Sequence, residues 1–115
     1  MKLLSLKSGW TKLAEKYYYD DKFEGKYYRS QSAKFKKIDF RGSLDMGINE
    51  KGLYLVPMIF FRLFHKPIFI PWEEIHGENI SRFLFKGYRL KLKSYPEIMV
   101  EVSNKIYKRM DKYIN

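Results

Sequence analysis

Apolar residues are densest between Gly52 and Trp72, GLYLVPMIFFRLFHKPIFIPW. The stretch reads as two strands, Leu53 to Phe61 and Ile68 to Trp72, joined by a turn from Arg62 to Pro67. Neither strand alternates: Leu53, Leu55, Ile59 and Phe61 are apolar on one parity, and Tyr54, Val56, Met58 and Phe60 on the other. Both faces of the first strand are therefore expected to be covered.

Toward the N-terminus, Trp10, Leu13, Ala14 and Tyr17 recur at helical spacing, predicting a helix over about Gly9 to Tyr18 with Ser8 placed to cap it. Phe23 to Phe35 predicts a long first strand and Ser43 to Ile48 a second, which the Asn49–Gly52 turn links to the central pair. Beyond that pair, Glu73, Glu74, His76, Gly77 and Glu78 read as a polar connection. Strands follow over Asn79 to Phe85 and Tyr88 to Lys93, and a last strand alternates Ile98, Val100 and Val102 inward with Glu97, Met99 and Glu101 outward. A three-residue turn at Ser94 to Pro96 would set Lys93 opposite Glu97 and Arg89 opposite Glu101, neutralising that basic row. A final helix, capped by Ser103 or Asn104, is predicted to run to about Ile114 with Ile106, Met110, Tyr113 and Ile114 on its apolar side.

At 115 residues the chain is one domain, divided into an N-terminal helical extension (1–22), barrel strands (23–102) and a capping helix (103–115). Ten Tyr and nine Phe favour strands over helices, and the absence of Cys removes disulfides, thiolate catalysis and thiolate metal sites. The apolar patch before Lys7 is too short for a signal-peptide core, and the longest uncharged run, Gly52 to Phe61, is too short to span a membrane. A cytoplasmic protein, at most peripheral to a membrane, is expected. The net charge of +10 is uneven: +6 over residues 1–42, −2 over 43–80 and +6 over 81–115. Such a balance suits nucleic acid, anionic lipid or an acidic partner without choosing among them.

Seven strands and a C-terminal amphipathic helix are the count of a pleckstrin-homology-like barrel. GLYL followed by FRLFHKPIFIPWEEI, with SGWTKLAEKY and QSAKF before them, resembles a family of small uncharacterised bacterial proteins. The phrase IPWEEI is similar to a strand end in bacterial pleckstrin-homology-like and GRAM-like domains. The resemblance implies two orthogonal antiparallel sheets capped at one open corner by the final helix. In lipid-binding members of that fold, head groups sit between three loops. By position these loops carry Lys34, Lys36, Lys37 and Arg41, then Arg62 and Lys66, then Lys93, with Phe64 able to insert into a bilayer.

The chemistry for catalysis is thin. His65 and His76 are the only histidines, and a zinc site would need both plus carboxylates such as Glu73, Glu74 or Glu78. No nucleophile motif and no phosphate-cradling glycine loop occurs, so neither enzyme activity nor a cofactor is expected. The expected function is a non-catalytic interaction module for a protein or peptide. The alternatives are anionic lipid head groups bound through the basic loops, and single-stranded nucleic acid stacked on Lys26, Tyr27, Tyr28 and Arg29.

Overall fold

The computed structural model describes residues 9–36, 38–57, 66–82 and 85–114, with Arg82 and Phe85 described by backbone alone. Helix α1 (Trp10–Tyr17) precedes strands β1 (Lys26–Phe35), β2 (Ile38–Ile48), β3 (Gly52–Pro57), β4 (Ile68–Pro71), β5 (Ile75–Arg82), β6 (Phe85–Leu92) and β7 (Tyr95–Ser103). A 3-10 turn, Trp72–Glu74, separates β4 from β5, and helix α2 (Asn104–Tyr107) follows β7. The strands form one antiparallel sheet in the order β4-β3-β2-β1-β7-β6-β5. Among the described residues β4 and β5 do not pair with each other, so the sheet is not closed.

Strand alternation explains the core. Phe35, Leu44, Met46, Leu53, Leu55, Ile70, Leu90, Leu92, Val100 and Val102 point to one side of the sheet and are buried there. Two segments close over this side, each with its own apolar stripe. The α1 stripe, Trp10, Leu13 and Tyr17, is buried; the Trp10 ring lies 5.0 Å from Phe35 and 5.7 Å from Phe40 beside the β1–β2 turn, and Tyr17 packs edge-on against Tyr95. The C-terminal segment buries Ile106, Tyr107 and Met110, with Tyr107 stacked on Tyr88 and Tyr113 stacked on Trp72.

Two adjacent irregularities bend β1 and β2. Arg29 and Ser30 of β1 face Asp45 alone, and the left-handed Ser30 (φ 55°) donates its N–H to Asp45 Oδ1 at 3.0 Å. On β2 the extra residues surround the left-handed Gly42, whose N–H donates to Ser32 Oγ at 2.7 Å. Side-chain oxygens thus replace the ladder partners that the bends remove.

Several expectations are corrected in detail. β2 starts at Ile38, ahead of the expected Ser43, because its alternation of Asp39 outward and Phe40 inward is hidden by the bulge at Gly42. β5 starts at Ile75, so His76, Gly77 and Glu78 lie in a strand and not in a polar connection. The final helix winds as α-helix only to Tyr107. Arg109 and Met110 then donate to carbonyls three residues back, and a 3-10 turn over Asp111–Tyr113 brings Tyr113 onto Trp72. Its predicted cap holds: Ser103 Oγ accepts the Ile106 N–H at 3.3 Å. The outward face of β3 is covered, as expected, and its cover is the extended segment after α1, where Tyr19 and Phe23 pack on Tyr54 and Phe69. The expected strand residues Met58 to Phe61 lie outside the described residues.

Candidate functional site

Of the eight predicted binding residues, Lys37, Arg62 and Phe64 lie outside the described residues. The other five sit on or beside the three expected loops, whose described residues Lys36, Lys66 and Ser94 lie beside α1. At the β1–β2 turn, Lys36 takes a left-handed φ of 59° and donates its N–H to the Met99 carbonyl. At the start of β4, Lys66 accepts the Trp10 indole N–H on its carbonyl at 2.8 Å, and its ammonium lies 5.3 Å from the Tyr18 ring centre. At the β6–β7 turn, Lys93 donates its N–H to the Glu74 carbonyl.

Helix α1 lies against the described parts of these loops. Two shallow clefts of about 360 Å³ each remain along it, one lined by Lys66, Tyr18, Ala14, Thr11 and Glu15, the other by Lys36, Lys12, Glu97, Glu15 and Thr11. Both are mixed in charge. Lys12 pairs with Glu97 at 2.9 Å, which holds the Glu97 carboxyl below the usual range.

This pairing also corrects one expected contact. Lys93 does not face Glu97, because β7 holds extra residues between Met99, the partner of Lys91, and Tyr95, the partner of Leu92. Pro96, which has no N–H for the ladder, lies within that bulge. Behind the turn, Tyr17 and Ser94 both donate to Glu74 Oε1 at 2.7 Å, and Lys16 donates to Ser94 Oγ at 2.8 Å. The Ser94 and Tyr17 hydroxyls keep the Glu74 carboxyl low, while burial and then that carboxylate push the Tyr17 phenol up to about 12. A phenol held protonated is a hydrogen-bond donor and not a nucleophile, so the cluster fastens α1 to the turn.

The remaining predicted cations lie beside carboxylates. Arg41 pairs with Asp39 at 3.1 Å while staying largely exposed. Lys34 belongs to a row that sequence reasoning saw only in part. Pairing register sets Asp39 of β2, Lys34 of β1, Glu101 of β7, Arg89 of β6 and Glu78 of β5 side by side, with alternating charge. The expected Arg89–Glu101 pair is present at 3.3 Å, and Lys91 reaches Glu78 at 2.8 Å. The row belongs to the sheet's outer face and leaves little free positive charge there.

The aromatic and basic run from Lys26 to Arg29 is divided between the two faces. Tyr27, with Arg29 5.9 Å from its ring centre, lies outward and donates to Asp45 Oδ2, whereas Tyr28 turns inward under Arg109. Burial, then Asp45, pushes the Tyr27 phenol up to about 12. Among the described residues no three His, Asp or Glu side chains gather closely enough to hold a metal. No described helix is long and apolar enough to cross a membrane.

One feature of the site was not read from the sequence: the two edges of the sheet differ. The β4 edge is partly covered, since Tyr18 bridges to Ile68 and Tyr19 donates its N–H to the Pro67 carbonyl. Among the described residues β5 pairs on one side only, with β6, along its full length from Ile75 to Arg82. Beneath its middle, Gly77 leaves room for the Tyr107 hydroxyl, so the C-terminal segment passes directly under this strand. Compared with family models, curated proteins and solved structures, the chain matches none.

Proposed function

We propose that the protein is a non-catalytic, intracellular interaction module that binds an extended segment of a partner protein by adding it to the β5 edge. The observation that carries this reading is the one-sided pairing of β5 over eight residues, beside a β4 edge that is partly covered. An open edge offers a row of backbone donors and acceptors to another chain, and proteins usually blunt such an edge unless it has a use. The reading also takes the fold to be pleckstrin-homology-like, with the paired bulges of β1 and β2 as the bend between two sheets. The seven-strand order with its C-terminal helix supports that assignment.

The lipid alternative draws less support. The described ends of its loops lie against α1, and Glu15 and Glu97 share the clefts there with Lys36 and Lys66. The nucleic-acid alternative loses its platform through the opposite facing of Tyr27 and Tyr28. The test is selection of binders from a random displayed-peptide library, followed by amide hydrogen exchange on the complex. Slowed exchange along Ile75–Arg82 is the expected result. Selected peptides that slow exchange only around α1 would overturn the reading.

A further inference from the structure

The charges around β5 indicate what kind of segment it would take. Of the carboxylates near the edge, Glu78 is engaged by Lys91 and Glu74 by Tyr17 and Ser94, and Glu73 is exposed at the start of the strand. The C-terminal segment that runs under Gly77 carries Lys105, Lys108, Arg109 and Lys112, all exposed, against a single acid, Asp111. Among the described residues none of these four cations has a carboxylate partner: Arg109 and Lys112 rest near the rings of Tyr28 and Tyr113, 5.6 and 5.2 Å from their centres.

We infer that the β5 edge and the basic C-terminal segment together form one docking surface for an acidic, extended peptide. This rests on the strand-addition reading above. A strand laid beside β5 continues the pleat, so alternate side chains of the incoming peptide point to the same side as Gly77 and Asn79, where the C-terminal segment lies. Carboxylates at those alternate positions meet the unpaired cations, while the peptide backbone satisfies the edge. A second copy of this chain is a poor occupant, because each copy carries +10 and self-repels. A bilayer surface offers no backbone groups to the edge.

The experiment uses the full chain and three fluorescein-labelled peptides read by anisotropy. The first alternates valine with glutamate, the second valine with lysine, and the third is the first with every backbone amide N-methylated. The valine–glutamate peptide should bind about tenfold or more tighter than the valine–lysine peptide. N-methylation should abolish binding, since a methylated amide cannot donate to the edge. The variant K105E/K108E should weaken the valine–glutamate peptide by about tenfold, with an unchanged circular dichroism spectrum confirming its fold.

Equal binding of both charge types, lost on N-methylation, would overturn the acidic preference and leave strand addition standing. Glutamate-selective binding that survives N-methylation would overturn strand addition itself. Failure of all three peptides, with sedimentation on anionic vesicles instead, would overturn both in favour of a membrane surface.

Discussion

The alternating row Asp39, Lys34, Glu101, Arg89 and Glu78 allows a quantitative test of how the sheet holds its register. The Arg89–Glu101 pair lies near its middle, at 3.3 Å, with the Arg89 side chain 26% exposed and Glu101 10% exposed. Exposed pairs contribute about 0.2–1 kcal/mol and breaking a fully buried one costs about 3–5 kcal/mol, so this site falls between. The Arg89 Nε is buried without a hydrogen-bond partner, which keeps the pair toward the lower part of that interval. Glu101→Gln, close in shape but uncharged, should therefore cost about 1–2 kcal/mol. An unfolding entropy of about 2.1 cal/mol/K per residue converts that into a fall of roughly 4–8 °C in Tm.

A double-mutant cycle with Arg89→Met should give a coupling of about 1 kcal/mol, because Arg89→Met alone leaves Glu101 buried beside Lys34 without its main partner. Thermal unfolding followed by circular dichroism supplies the four stabilities. If the two single changes add to the double within about 0.3 kcal/mol, the row is incidental to stability and the argument from register fails.

Other expectations follow from the same geometry. Gly77→Ala drives a methyl group into the Tyr107 hydroxyl and should cost about 1–3 kcal/mol in denaturant unfolding; an unchanged midpoint would mean that the C-terminal segment does not press on β5. Tyr17 and Tyr27, both at about 12, should each ionise late in an ultraviolet titration, well above the ordinary tyrosine value of 10.0. Because their folded values are raised above 10.0, the stability they contribute is complete below pH 10 and lost as pH rises toward 12; Tyr17→Phe should remove one late proton, and no change in the curve would contradict the assignment. Glu74 is shifted the other way, so its contribution is present above its unfolded value of 4.5 and lost as pH falls below it. Glu74→Gln should give a shallower acid limb in a pH–Tm series, and limbs of equal slope would remove Glu74 from the fastening of α1.

Legibility in the sequence depended on whether alternation survived unbroken. β6 and the last residues of β7 alternate cleanly, and their pairing, including Arg89 against Glu101, follows directly from the residues. β5 was misplaced because its inward position opposite Leu90 is Gly77, small because Tyr107 needs the space, and a glycine among polar residues imitates a turn. β2 was cut short because its two extra residues lie around Gly42, which puts no apolar side chain at the inward position between Phe40 and Leu44. The same cause misplaced Lys93: extra residues after Tyr95 change which side chains face each other. The two covered faces of β3 were legible, but their cover was not, since Tyr19 and Phe23 act from an extended segment with no period to detect. That α1 would sit among the three loops depended on the long-range bond from Trp10 to Lys66, which no local pattern announces.

The unequal edges also set the valency of the molecule. A sheet with two open edges can act as a link, joined on both sides into filaments, whereas one open edge permits a single junction. With Tyr18 and Tyr19 beside the start of β4, strand addition of the kind proposed would be hindered there and favoured at β5. On the strand-addition reading, the short segment after α1 would limit an edge complex to one partner per domain.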